Sequence, residues 1–421
     1  MDNQDKAITG SRRSFGTAAA AGAMGFLIVK PEQVRGSQAN SALTIGLIGI
    51  GGRGLHDSGI AAKHEFARIA AICDIYDDRL AEGRKRYTGA KEYKNYKELL
   101  ASDIDAVMIC TPAFLHPEHF EAAVAAKKHI FMEKPCAVDG PGIRRVIAAA
   151  KDAETKRLCI VAGTQRRSQP SYIEAIGRIH KGELGRLMAG RCYWNQGSLW
   201  NVEADPKKTD VENQIRNWLY YAWLSGDHIV EQHVHQLDVM NWAFGTHPVL
   251  ARGVGGRQAR VDPKFGHIFD HFGIEYVYPP APGDEAFGER FVLSMCRQQD
   301  GTVGRVEESL TATDGVALLR PGFAEFTGRT PWKFSGPNPN PYVEEHKRLI
   351  AAIQSGATLN EGQQVAYSTL VAIMGRMAAY TGQEVTWDQA LNSKEELMPE
   401  SVDFGPRPVP PVAVPGVTKL G

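Results

Sequence analysis

The chain has 421 residues, enough for two or three domains. Lys+Arg and Asp+Glu number 48 each, so the formal net charge is zero and there is no global basic field to draw nucleic acid or anionic lipid. Hydrophobic residues make up 43% of the chain and its six cysteines include no C-x-x-C pair, which points to a globular protein with buried thiols and excludes a disulfide or zinc framework.

In chain order, the first feature is Ser11-Arg12-Arg13-Ser14-Phe15, followed by an apolar run over 17–29 and by small residues at Ser37-Gln38-Ala39. The run is too short to span a bilayer but suits the core of a signal peptide, and paired arginines before it resemble a twin-arginine signal. Residues 1–39 are therefore expected to direct export, with a periplasmic or otherwise exported mature protein. From 40 to 163 short apolar runs ("LTIGLIG", "FARIAAICD", "IDAVMICTP", "KHIFMEKP", "RLCIVAG") alternate with helical stretches such as "DDRLAEGRKRY" and "GIRRVIAAAKDAE". Alternating β and α implies an α/β fold with a parallel sheet covered on both faces. From 164 to 400 helix candidates give way to consecutive strand-like pieces, "VLARGVGG", "FGIEYVYP", "ERFVLSMCRQ" and "GRVEESLTA", which imply an α+β domain with an antiparallel or mixed sheet. Two late helices, over 342–354 and 362–381, are expected to pack on that sheet. Residues 401–421 are proline-rich and read as an extended arm.

Three stretches carry chemistry. Gly49-x-Gly51-x-x-Gly54 follows a strand and opens a helix, the context in which glycines allow a tight turn, close approach of a pyrophosphate and close helix–strand packing. Free N–H groups at the helix start favour phosphate. A second strand ends in Asp74, placed to meet the adenosine ribose, and an acid there favours NAD over NADP, although NADP remains possible. Gly49, Gly51, Gly52, Arg53, Gly54 and Asp74 are thus expected to line the cofactor. Thr111, Pro112 and His116, after the fourth strand, join them, as do Glu133 and Lys134 after the fifth, because ligands bind at the carboxyl ends of parallel strands. The third stretch is "SGDHIVEQHVHQLDVMNW". A helix from about His228 would bring His228, Glu231, Gln232, His235 and Asp238 onto one face, with His233 pointing elsewhere. Carboxylate and imidazole at that spacing can share a proton or grip a hydroxyl. His228, Glu231 and His235 could also ligate a metal, but no metal is assigned.

Together the glycine turn, Glu133-Lys134-Pro135 and His235-x-x-Asp238 resemble the glucose–fructose oxidoreductase / inositol dehydrogenase / MocA family over residues 42–395. The resemblance implies a Rossmann doubly wound parallel sheet followed by a domain with a large open, mostly antiparallel sheet. It implies Lys134, His235 and Glu231 as catalytic residues, hydride transfer between a sugar or polyol secondary hydroxyl and a tightly bound nicotinamide cofactor, and a homo-oligomer. Glu231-Gln232-His233 departs from the usual D-x-G at this place. Gln165 and Arg167 match a family segment bordering the substrate. Trp194, Asn195, Trp200, Arg216 and Trp218, with His228, are further candidates for a sugar pocket, since aromatic faces stack on sugar C–H surfaces. An exported enzyme has no cofactor pool, so the cofactor is expected to be loaded before export and regenerated in place. That leaves an NAD-dependent glycosidase, working by transient oxidation and elimination, as an alternative, and a non-catalytic sugar-binding protein as a third.

Overall fold

The computed structural model describes residues 42–398 and 402–421, so the expected signal peptide lies outside the described residues. The first sheet is built from β1 (Leu43–Ile48), β2 (Ala67–Cys73), β3 (Lys91–Tyr93), β4 (Ala106–Ile109), β5 (His129–Met132) and β6 (Ile160–Ala162). All pairings are parallel and the strand order is β3-β2-β1-β4-β5-β6. The inner strands are short and almost wholly apolar because both faces are covered, and every residue of β4 and β6 is buried, whereas the edge strand β3 is largely exposed. Strand order reverses between β1 and β4, so a crevice opens beyond their carboxyl ends. The intervening helices include α1 (Gly52–Ala61), α2 (Asp77–Arg86), α3 (Tyr96–Leu100), α4 (His116–Ala125) and α5 (Gly140–Thr155). Asp139 caps α5 by accepting from Gly142 N at 2.9 Å.

The second part opens with α6 (Pro170–His180), β7 (Leu187–Gln196) and four short helices, α7 (Asp210–Arg216), α8 (Ala222–Ser225), α9 (His228–Glu231) and α10 (Val234–Phe244). Then come β8 (Leu250–Gly256), β9 (His271–Tyr278), β10 (Arg290–Gln298), β11 (Arg305–Ala312), β12 (Gly315–Arg320), β13 (Phe323–Gly328) and β14 (Trp332–Lys333). With β15 (Val385–Thr386) they form a nine-stranded sheet, β14-β13-β12-β11-β7-β10-β9-β8-β15, antiparallel except where β7 and β10 run parallel. One face is packed and the other is bare. Along β10, Val292, Ser294 and Cys296 are buried, whereas Phe291, Leu293 and Met295 are exposed.

The late helices are α11 (Pro341–Ser355) and α12 (Gly362–Thr381), with α13 (Trp387–Asn392) after β15. The expectation that both late helices cover the second sheet holds only for α12, which packs on β8 and β9 and also on α5. Helix α11 returns to the first sheet: Leu349, Ile350 and Ala352 share a core with Ile45, Leu47, Phe131 and Val161. The chain at Asn360 even bridges Ile160 in parallel, extending the β6 edge. A helix's apolar stripe is blind to which of two apolar sheets it meets. The arm over 402–421 has neither helix nor strand, and Val412, Ala413 and Leu420 rest against the core.

Candidate active site

The cradle is made by four glycines, for three different reasons. Gly49 has φ +93°, and a Cβ there would stand 2.7 Å from the Cys110 carbonyl, so the turn between β1 and α1 admits only glycine. At Gly54 a Cβ would meet Gly49 O at 2.0 Å, which is the close seating of α1 on the turn. At Gly51 and Gly52 a Cβ would meet nothing within 4 Å, so the space beside the backbone is open where a pyrophosphate would approach. Gly51 is the N-cap of α1 and offers no side chain to the first-turn N–H groups, which remain free for an anion. Asp74 Oδ2 accepts from Ile50 N at 2.8 Å and Oδ1 from Tyr76 N at 3.0 Å, tying the turn to the end of β2. Each carboxylate oxygen keeps a further lone pair for a ribose hydroxyl. These residues fit a dinucleotide.

His116 joins the two strand ends that form the floor of the crevice. Its Nε2 lies 2.8 Å from Thr111 O and its Nδ1 2.7 Å from Pro135 O. Thr111 Oγ1 lies 3.1 Å from His119 Nδ1, and Pro112 is half-buried beside it. Lys134–Pro135 is a cis peptide bond. Arg53 points away from the free N–H groups: its guanidinium is 3.3 Å from Asp57, 3.8 Å from Glu133 and 5.1 Å from the Tyr342 ring centroid. Burial, then the neighbouring Asp57 carboxyl, pushes Glu133 up to about 7, against the pull of Arg53 and Lys134.

Lys134 reaches from the end of β5 to the second domain. Its Nζ donates to Glu231 Oε1 at 2.8 Å and to Glu231 O at 2.5 Å, and both side chains are largely buried. The carbonyl is available because the expected single helix from His228 is broken: α9 ends at Glu231 and α10 begins at Val234, and His235 N bonds Gln232 O instead. An ammonium has three donors, so one N–H of Lys134 is left for a ligand. Among the described residues, Glu231 Oε2 and His235 Nδ1 are buried without a partner. His235 stacks on Trp194, with centroids 5.5 Å apart and rings 23° from parallel. Burial first, then the cations of Lys134 and Arg166, holds its imidazole well below the ordinary value, so it is neutral at pH 7 and able to take a proton.

The break also redistributes the face read from the sequence. Asp238 follows His235 by about one turn of α10, but its carboxylate is already committed. It is gripped by Arg167 in three hydrogen bonds of 2.8–3.1 Å and also accepts from Ser368 Oγ at 2.7 Å and from Gln364. Arg167, expected beside the substrate, is thereby a brace between the domain's helices, its guanidinium over Trp242. His228 is buried edge-on to Phe272 with Nε2 unpartnered. His233 Nε2 lies 2.6 Å from Ser294 Oγ. Gln165 donates to Tyr342 Oη at 3.1 Å and leaves Oε1 buried without a partner. Trp218 is half-buried against the exposed Trp200. Arg216, expected in the sugar pocket, pairs with Asp78 in the first turn of α2. Among the described residues no group of His, Cys, Asp or Glu is arranged to hold a metal ion, and no helix is long and apolar enough to cross a membrane.

Sequence reading missed two parts of this neighbourhood. Asp227 sits at φ +76° and caps α9 through His228 N, and its carboxyl, pushed up to about 6 by burial, also accepts from Phe269 N and Tyr380 Oη. Ser-Gly-Asp before an apolar run was a readable N-cap signal. Glu345 on α11, buried with both oxygens unpartnered, sits close enough to Glu133 and Asp57 to feel their charge. No local signal announces it, since its neighbours are more than two hundred residues away in the chain.

Residues 43–162 match the family described as "Oxidoreductase family, NAD-binding Rossmann fold". Over that segment the chain is similar to the Gfo/Idh/MocA oxidoreductases. An inositol 2-dehydrogenase from Acidothermus cellulolyticus is 28% identical over 220 residues, covering 52% of this chain and 58% of that protein. One from Rhizobium meliloti is 23% identical over 325 residues, covering 75% and 89%. In several of these relatives the match spans little more than half their length. A solved levoglucosan dehydrogenase, in complex with NADH and levoglucosan, superposes with a TM-score of 0.67 at 19% identity, over 82% of this chain and 99% of that one. That likeness shows the fold alone: the two proteins share it over 82% of this chain.

Proposed function

We propose that the chain is an exported NAD-dependent oxidoreductase acting on a secondary hydroxyl of a sugar or polyol. The observation that carries the reading is the Lys134–Glu231 pair at the carboxyl end of β5, with the neutral His235, across the helix break, close enough to feel the Lys134 charge. The names of the curated relatives and the sugar in the levoglucosan dehydrogenase complex support the substrate class. Gly51, Gly52 and the first turn of α1 would hold the pyrophosphate, and Asp74 the adenosine ribose. When bound, NAD supplies the acceptor for a hydride from the substrate carbon.

The chain's own residues handle the proton and the charge. Glu231 holds the Lys134 ammonium in place with one N–H free to donate to the substrate oxygen. His235 accepts the hydroxyl proton. Lys134 then stabilises the negative charge left on that oxygen in a site largely closed to water, which is the largest expected contribution to rate. Glu231 Oε2 can receive a further substrate hydroxyl. Export is supported by the Arg12-Arg13 segment, and the bare face at Phe291, Leu293 and Met295 supports a homo-oligomer.

The test is a panel of polyols, aldoses and glycosides given to purified protein, with cofactor content followed by native mass spectrometry and reduction by absorbance. Oxidation of a polyol or sugar supports the reading. Glycoside hydrolysis without net change in NAD would move it to the glycosidase, and sugar binding without isotope exchange at any carbinol carbon would reduce it to a binding protein.

A further inference from the structure

The turn from β2 into α2 carries Asp74, Tyr76 and, in the first turn of the helix, Asp78, and two distant stretches of chain close over it. From α7, Arg216 forms a two-pronged pair with Asp78, Nη1 to Oδ2 at 2.9 Å and Nη2 to Oδ1 at 3.0 Å. The same guanidinium lies 4.2 Å from the Tyr76 ring centroid. From the C-terminal arm, Phe404 stacks on Tyr76, with centroids 6.1 Å apart and planes 22° from parallel. Arm and helix are tied together. Arg407 N donates to Asp210 Oδ2 at 2.9 Å, Gln214 Nε2 to Arg407 O at 2.7 Å, and the Arg407 guanidinium lies over Trp223. Among the described residues, Tyr76 Oη and Arg216 Nε are buried with no partner. An unpaired buried polar group costs stability, so a ligand that supplies a partner is favoured.

We propose that Arg216, Tyr76 and Phe404 form a clasp over the adenosine half of the bound dinucleotide. The inference rests on Asp74 being the ribose ligand, as in the function proposed above. Adenosine presents ring nitrogens and hydroxyls to the unpaired Tyr76 Oη and Arg216 Nε, and its base presents a flat face to the Tyr76 and Phe404 rings. Release of the cofactor then requires the Asp78 pair to break and the arm to lift. The clasp thus slows dissociation without adding anything at the reacting end, which suits an enzyme working where no free NAD exists. It also gives Arg216 a role far from the sugar.

The experiment measures release of NAD from the full chain by native mass spectrometry after dilution, beside the affinities of AMP and of nicotinamide mononucleotide. Asp78→Asn breaks the pair from its exposed side, and Arg216→Ala with Phe404→Ser removes both closing groups. The expected result is release faster by on the order of tenfold in the double variant. AMP is expected to bind more weakly and nicotinamide mononucleotide unchanged, with the melting temperature of the cofactor-free protein preserved. Unchanged release and AMP affinity in both variants, from a parent that holds NAD, would overturn the clasp. A parent that binds neither NAD nor AMP would instead overturn the reading of Asp74 on which it rests.

Discussion

At the carboxyl edge of the first sheet, Gly49, Asp74 and His116 are held largely by main-chain groups: Asp74 by Ile50 N and Tyr76 N, His116 by the carbonyls of Thr111 and Pro135. In the second domain Glu231, His235 and Asp238 are held by side chains from far along the chain, Lys134, Trp194 and Arg167. The difference is physical. A strand–turn–helix unit fixes its own geometry, so its binding groups can be backbone N–H groups that cost no side-chain ordering. A proton-transfer site needs titratable groups brought together from different elements and partly stripped of water. The first region is suited to hold a common cofactor and the second to vary the substrate.

The sharpest break in that comparison is Lys134→Met, which removes the ammonium that ties the first sheet's edge to Glu231. Turnover is expected to fall by about a thousandfold or more, from loss of charge stabilisation at the substrate oxygen, while native mass spectrometry still finds NAD bound. Loss of both together would mean that the lysine holds the cofactor and does not act on the substrate. Next in size is Asp238→Ala. It leaves Arg167, which is only partly buried, without its carboxylate, and with solvent screening the loss is about 1–3 kcal/mol. A denaturation midpoint should register most of that. A stable variant with abolished turnover would add Asp238 to the catalytic group.

Much of the first region was legible because its determinants are local. The glycine spacing, the acid ending β2 and Lys134 after β5 all follow from strand–turn–helix rules. The second region was legible only in composition. Glu231 and His235 could be named from their spacing, but the helix break at Gln232–His233, which frees the Glu231 carbonyl for Lys134, depends on tertiary contacts. Arg216 is a sequence candidate for the sugar pocket and Arg167 borders the substrate by its family segment, but neither stretch marks the carboxylate that each one pairs with, 138 and 71 residues away. For the same reason α11 was assigned to the wrong sheet.

A pair of alanines separates packing from binding inside the cradle. Gly54→Ala drives a Cβ onto Gly49 O and should cost about 1–3 kcal/mol of stability. Gly51→Ala meets no protein atom, so stability should hold within about 0.5 kcal/mol. NAD affinity should nonetheless fall by about tenfold, as the methyl occupies space the pyrophosphate needs. Calorimetric titration and thermal melts on the same samples read both. If Gly51→Ala binds NAD like the parent, the pyrophosphate does not lie where the turn suggests.

Glu133 is the exception that sharpens the comparison, because it belongs to the first sheet yet is held by side chains. It faces Asp57 and Arg53 from α1, Glu345 from α11 and the adjacent Lys134. Burial and Asp57 raise its carboxyl from 4.5 to about 7. The folded protein therefore keeps this proton up to about pH 7, while the unfolded chain loses it near 4.5. Between those values the folded state binds more protons, so stability from this group is fully present below about pH 4.5 and is lost as pH rises through about 7. Asp57, Asp227 and Glu345, all raised, act in the same direction. Glu133→Gln keeps size and the acceptor for Lys134 N but removes the titration. Urea midpoints of cofactor-free protein from pH 5 to 8 should then decline less steeply, by about 1 kcal/mol over the range, because Asp57 shares the proton and takes over part of the effect. An unchanged slope would assign the decline to Glu345 and Asp227, and would leave Glu133 ionised beside Arg53, a second fixed charge at the edge where the nicotinamide end of the cofactor is expected.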